Sequence, residues 1–327
     1  MMQSITDKLQ RLSREWRYAL GTEQSLYHTK NPRDVVVMYH NVLPEEIPSI
    51  NIRNISVENF RRHLQYFKKR YALVSLNEMF TSKSKHNRLA ITFDDGLINN
   101  LRHALPVLES EKVQATFFIT TSWLLGESTL WPDALSVLLS KVPHQVRYGG
   151  VNYKRTSAIH FRNELTGELI QHVLLHESPA AIEKFIEELK VTTGCNPSQM
   201  KELEDAIRVT VGEEIKLLSQ SEYVTIGSHA VSHHNMTLMS DEAVMRELID
   251  SKKYLEHATG KAVNSIAYPF GLYTRTMLNV AQHAGYTQQF AVNYLHDEDQ
   301  PDVRVMNRIG LYCDRSFVEQ MHLVNLF

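Results

Sequence analysis

Two clusters in the sequence combine residue types that can do chemistry. Asp94 and Asp95 stand side by side in Thr92-Phe93-Asp94-Asp95-Gly96, directly after an apolar run at 89–93 and ahead of a helical pattern. Adjacent carboxylates repel each other unless a proton or a cation intervenes, and the carboxyl ends of parallel strands are where α/β proteins place their sites. A metal ion would resolve the repulsion; an N-capping aspartate beside a solvated neighbour is the structural alternative. The second cluster, Gly227-Ser228-His229-Ala230-Val231-Ser232-His233-His234-Asn235, also follows a strand pattern. His229 and His233 have the i, i+4 spacing that sets two imidazoles on one side of a helical turn, within reach of one ion. A carboxylate with two imidazoles leaves coordination positions open, as catalytic zinc sites and non-haem iron sites both do. His40 ends the run at 35–39, and Ala267-Tyr268-Pro269-Phe270-Gly271 ends another with a Pro/Gly turn and its backbone donors, so both could share the same rim.

Such a rim needs parallel strands to build it. Apolar runs at 35–39, 71–74, 89–93, 115–120, 223–226, 266–268, 290–292 and 303–309 alternate with helical patterns. Ser56 predicts an N-cap ahead of Phe60, Leu64 and Phe67. Ser240 opens a helix closed near Gly260, the pattern at 274–284 stops at Gly285, and a last helix starts near Phe317. The rhythm predicts βα units in a parallel sheet of seven or eight strands, enough to close a barrel spanning 34–327. It breaks at about 126–220, which reads as a mostly helical insertion. Before the barrel, in segment 1–33, Ile5, Leu9, Leu12, Trp16 and Leu20 fall on one helical face, with Lys8, Arg11, Arg14 and Arg17 mostly elsewhere. This amphipathic helix either packs on the domain behind it or makes a peripheral contact with an anionic membrane surface through residues 1–20.

Composition narrows the partners. Lys plus Arg number 35 against 37 Asp plus Glu, so no general affinity for nucleic acid is expected. Cys195 and Cys313 form no CxxC unit, which argues against a disulfide framework or a thiolate zinc site. No apolar run reaches the ~18 residues of a membrane span. The first twenty residues lack an uninterrupted apolar stretch and a small-residue cleavage site, so the expectation is a cytoplasmic protein, peripheral to the inner membrane surface if the N-terminal helix binds there.

With these residues in view, Met38-Tyr39-His40, Thr92-Phe93-Asp94-Asp95-Gly96, Ala115-Thr116-Phe117-Phe118, His229-Ala230-Val231-Ser232-His233 and Tyr268-Pro269-Phe270-Gly271, in this order along 34–315, resemble the polysaccharide deacetylases of the NodB-homology type, which are carbohydrate esterases. The resemblance points to the branch with an MYH first strand and a YPFG motif. It implies a distorted (β/α)7-type barrel and hydrolysis of acetyl groups, usually from N-acetylhexosamines, with a divalent metal that is commonly zinc. By motif, Asp94 is the general base, and Asp95, His229 and His233 bind the metal. In this branch the acid histidine comes from the first strand, here His40. The family's motif arginine is missing from 267–271, and Arg308 in Asn307-Arg308-Ile309-Gly310 is its candidate replacement. Ala230 stands where a Ser or Thr is usual, which removes a hydroxyl but no ligand.

The implied mechanism is metal-assisted amide hydrolysis, with Asp94 taking a proton from water, His40 giving one to the leaving nitrogen, and the backbone N–H of Phe270, within Tyr268-Pro269-Phe270, stabilising the oxyanion. The substrate is an N-acetylated glycan or lipid-linked glycan, in carbohydrate metabolism such as exopolysaccharide biosynthesis. Two competing readings are a non-catalytic glycan-binding member of the same fold and a non-haem iron enzyme using the two histidines and one carboxylate.

Overall fold

The runs rich in Val, Ile and Phe form strands because β-branched and aromatic side chains suit a sheet buried on both faces, and here both faces are covered. The computed structural model describes residues 33–295 and 304–327, together with Ser13 and Asp299; the predicted N-terminal helix of segment 1–33 lies outside the described residues. The strands of the main sheet are β1 (Asp34–Tyr39), β2 (Arg88–Phe93), β3 (Ala115–Ile119), β4 (Val224–Ser228), β5 (Ser265–Ala267), β6 (Gln288–Phe290), β7 (Val305–Met306) and β8 (Ile309–Gly310). Their order is β7-β6-β5-β4-β3-β2-β1-β8, every pairing parallel, with Ala72–Leu73 added alongside β2.

The two ends of this order belong to one stretch of chain. β7 pairs with β6 through Val305 and Met306, and β8 pairs with β1 through Ile309 and Gly310, so β7 and β8 are halves of one strand interrupted at Asn307-Arg308. Counting them as one position gives seven, and the sheet curls as the distorted (β/α)7-type barrel expected from the sequence. The interruption frees Arg308 to point where a ladder residue could not.

Helices α1 (Val57–Lys68), α2 (Leu105–Glu111), α5 (Asp241–Thr259), α6 (Arg275–His283) and α7 (Phe317–Leu326) cover the outside, while α3 (Trp131–Lys141) and α4 (Pro179–Thr193) belong to the insertion. Ser56 and Ser240 cap α1 and α5 as predicted, accepting from the amides of Asn59 and Ala243, and Gly260 closes α5 in the left-handed conformation. Side chains on strands alternate faces. Val35, Val37, Tyr39, Leu89, Ile91, Phe93, Phe117 and Ile119 pack with the helices, whereas Val36, Ala90, Phe118, Ala267 and Phe290 pack together as a separate cluster inside the curl. A Cβ on Gly227 would lie 2.5 Å from the Phe118 ring, so this inward position of β4 requires glycine.

The insertion is mostly helical, as expected, but it also carries a small sheet that the apolar pattern did not announce. Gln145–Tyr148, Val151–Arg155 and Phe161–Asn163 form a three-stranded antiparallel sheet that shares a core with α3 and α4, built on Trp131, Leu135, Phe161, Phe185 and Leu189. Gly149 and Gly150, both at positive φ, turn the first hairpin with Tyr148 opposite Val151, the geometry of a two-residue turn that matches strand twist.

Candidate metal centre

Alternation places the chemistry. On β2 the inward set is Ala90 and Thr92, and one further step in phase brings Asp94 to the barrel mouth; on β1, Val36 and Met38 bring His40; on β4, Gly227 brings His229. All three are buried, with the carboxyl ends of parallel strands beneath them.

Asp95 cannot follow by alternation, and the chain turns sharply to aim it. Asp95 and Gly96 both sit in the left-handed region, at φ 72° and 73°. A Cβ on Gly96 would meet Ile119 at 2.9 Å, so the DDG turn needs its glycine for conformation and for space. Among the described residues five non-glycine positions have positive φ. Four of them, Asp95, Ala230, His233 and Phe270, lie in the motif loops, and such strain persists only where surrounding structure enforces it. His229 and His233 therefore do not sit on a helical turn, as their spacing suggests. They sit on an irregular loop whose left-handed kinks at Ala230 and His233 fold it back on itself, bringing the two rings to 5.0 Å.

Asp95, His229 and His233 offer three ligand atoms that all lie within 4.8 Å of one another. Oδ1 of Asp95 is 3.5 Å from Nε2 of His229 and 3.1 Å from Nε2 of His233. This oxygen is buried with no hydrogen-bond partner, an expensive state for a carboxylate unless a cation fills the space between the three groups. The tautomer agrees, because Nδ1 of His229 donates to the Ala267 carbonyl at 2.7 Å and leaves Nε2 with its lone pair free. Burial pushes His233 below the usual imidazole range, towards the neutral form that ligates. The donor set thus fits a divalent cation. His234 is not in the cluster; its ring stacks near Trp131, with centroids 6.2 Å apart.

Asp94 is held separately. Nη1 and Nη2 of Arg308 donate to its two oxygens at 2.6 and 2.7 Å, while the same guanidinium reaches Thr92 Oγ1 and the Ala291 carbonyl, both at 3.3 Å. Burial alone would raise the Asp94 pKa, but the charge and hydrogen bonds of Arg308 outweigh it and hold the carboxyl below its ordinary value. The repulsion between the adjacent aspartates is thus answered by two arginines, since Arg53 lies 3.3 Å from Asp95 Oδ2. His40 is buried beside them, with its pKa lowered to about 4 by burial despite the upward pull of both aspartates.

Of the residues in the Tyr-Pro-Phe-Gly turn, only Phe270 reaches the site. Its ring meets that of His233 at 4.8 Å, and its backbone is strained at φ 60°. Tyr268 is a correction. It lies on the outward phase of β5, buried in the helix layer with its hydroxyl on Gln289 Oε1 at 2.6 Å and its N–H on the Phe290 carbonyl, so it has nothing to offer a substrate. Pro269 is buried and has no N–H. The sequence reading also missed Arg53, Asp133 and Trp131. Trp131 donates through Nε1 to the His233 carbonyl at 2.9 Å, a contact from the insertion that no local motif announces.

A curled parallel α/β sheet with a His-His-Asp cluster and an arginine-held aspartate at the carboxyl ends of its strands is the frame of a hydrolase. The chain belongs to the polysaccharide deacetylase family, which it matches over residues 81–289, a span that holds Asp94, Asp95, His229, His233 and the turn at 268–271. His40 and Arg308 fall outside it. Solved structures of similar fold include the Streptococcus pyogenes deacetylase PplD in complex with acetate, at 18% identity and TM-score 0.56, covering 90% of this chain and 98% of that one. They also include a polysaccharide deacetylase from Bacillus cereus, BC0361, at 18% identity and TM-score 0.54 over 91% and 70% of the two chains. IcaB from Ammonifex degensii has 17% identity and TM-score 0.54 over 92% and 100%. No curated protein matches the sequence.

Proposed function

We propose that this deacetylase removes the N-acetyl group of a hexosamine in a glycan or glycan precursor, with a divalent metal, zinc being the first candidate, held by Asp95, His229 and His233. The observation that carries this reading is the unpartnered Asp95 Oδ1 facing two Nε2 atoms, beside an aspartate that Arg308 keeps ionised. When bound, such an ion polarises a carbonyl and lowers the pKa of a coordinated water.

The chain's own residues do the rest. Asp94 accepts the proton of the attacking water, and Arg308, engaging both carboxylate oxygens, fixes the orientation of that base. Phe270 presents its backbone N–H to the oxyanion, on a turn whose left-handed kink is held by Gly271 N–H donating to the Tyr268 carbonyl at 2.8 Å. His40 protonates the leaving amine. Because it rests neutral, it first takes up a proton, for which the one Asp94 has accepted from the water is the source, and the negative charge of Asp95 and the tetrahedral oxyanion favours that transfer. A cleft of about 280 Å³ lies next to the site, walled by the insertion and by His234, and it mixes apolar surface such as Trp131 and Ile186 with the charged groups of Glu127, Glu183 and Lys190, a lining a sugar chain could meet with both its faces and its hydroxyls.

The test is an assay on a panel of N-acetylated oligosaccharides and lipid-linked sugars with added zinc, run beside Asp94→Asn. Acetate release by the parent and its near-complete loss in a folded, metal-loaded Asp94→Asn supports the reading. Parental turnover by Asp94→Asn refutes the mechanism, and no release by the metal-loaded parent favours a glycan-binding role.

A further inference from the structure

Asp133, in the first turn of α3 in the insertion, is 1% exposed, and its Oδ2 has no hydrogen-bond partner. Its Oδ1 accepts from Asn51 Nδ2 at 2.9 Å and lies 3.0 Å from Arg53 Nη2. The other arm of the same guanidinium, Nη1, is 3.3 Å from Asp95 Oδ2. A buried carboxylate satisfied at one oxygen only is a costly way to fill space, since asparagine or leucine would do so more cheaply. The geometry gives the charge a use. Arg53 engages Oδ2 of Asp95 and leaves Oδ1 directed at His229 and His233, but an arginine beside a divalent cation repels it unless its own charge is balanced nearby.

We propose that Arg53 and Asp133 form a charge-neutral bracket that selects the oxygen Asp95 presents to the metal, which makes the first helix of the insertion part of the metal centre. The proposal rests on the metal-dependent reading above. Both are positioning residues, acting through Asp95. Trp131, two residues before Asp133 on α3, pins the His233 carbonyl, so the insertion supports two of the three ligands at once.

The test reads the metal directly. Co2+ is titrated against a competing chelator, and its visible d–d absorption recorded, for the parent and for Asp133→Asn, Arg53→Met, Arg53→Lys and the double variant Asp133→Asn/Arg53→Met. Asp133→Asn leaves an unbalanced cation at the site and weakens Co2+ binding by about tenfold to a hundredfold, with the band shape kept because Arg53 still holds Asp95. Arg53→Met frees Oδ2 and changes the bands. Removing the uncompensated cation as well, the double variant binds more tightly than Asp133→Asn alone, a rescue that a purely structural role does not produce. Lysine keeps the charge but cannot fork between two carboxylates, so Arg53→Lys falls between parent and Arg53→Met in spectrum, and it decides the matter if Asp133→Asn does not fold. Parental affinity and bands in every variant, or a double variant weaker than Asp133→Asn, overturn this proposal alone. A parent that binds no Co2+ overturns it together with the metal-centre reading.

Discussion

Replacing Arg308 by methionine tests whether the interrupted closing strand exists to serve Asp94. Arg308 is 1% exposed and Asp94 3%, and the pair is bidentate at 2.6 and 2.7 Å. Removing one partner of a buried pair leaves an uncompensated charge and costs about 3–5 kcal/mol. With an unfolding entropy of roughly 2.1 cal/mol/K per residue over 327 residues, that corresponds to a fall in Tm of about 4–7 °C. The pH dependence fixes the cause. In the parent the Asp94 pKa is depressed, so its contribution is fully present above the ordinary carboxylate pKa and is lost as pH falls through the folded value. Without Arg308, burial dominates and raises the pKa, so the variant regains stability relative to the parent as the pH is lowered from 7 towards 5 and Asp94 is protonated. Differential scanning calorimetry across that range, with circular dichroism to confirm the fold, measures the gap. Asp94→Asn/Arg308→Met removes the stranded charge and recovers most of the loss. A gap under about 1 °C at pH 7, or one that does not narrow on acidification, refutes the argument that Arg308 exists to hold an ionised Asp94.

Three further outcomes are expected. His229→Ala and His233→Ala each lose bound divalent metal in elemental analysis while His234→Ala retains it; full occupancy in His233→Ala with loss in His234→Ala would reassign the ligand. Gly227→Ala places a methyl group 2.5 Å from the Phe118 ring and 2.7 Å from Ser265 Oγ, so chemical denaturation should show a loss of about 1–3 kcal/mol. His63 is buried with its Nδ1 3.0 Å from the Tyr39 hydroxyl, and burial lowers its pKa to about 3. Its neutral form supports the fold fully above the unfolded pKa near 6.5, and that support fades by about 1.4 kcal/mol per unit as pH falls towards 3. A melting series should accordingly show a steeper acid decline for the parent than for His63→Gln.

What could be read from the sequence follows from how far apart the cooperating residues lie. Asp94, His229 and His40 were legible because period-two alternation along an apolar run fixes which face its last residue takes, and Asp95 because it is their immediate neighbour. The spacing of His229 and His233 suggested a pair that the fold does bring together, but through another geometry. Four residues bring two rings together on a helix, but here left-handed kinks at Ala230 and His233 do it, and no propensity argument predicts strained φ at a non-glycine residue. The hairpin in the insertion was signalled by Gly149-Gly150 and went unread because the apolar spacing around it suits helix and strand alike. Arg308 came into view only through the family resemblance; its reach to Asp94 depends on a strand that breaks where two edges of the sheet meet, a property of closure and not of any local segment. Arg53 and Asp133 were beyond reach altogether, since each is an ordinary charged residue until a loop near 53 and a helix starting at 131 are brought together over Asp95. The candidate ligands are thus written locally, in two motifs, while the arginines that hold Asp95 and Asp94 come from segments 42 and 214 residues away, where only the completed barrel can set the distance.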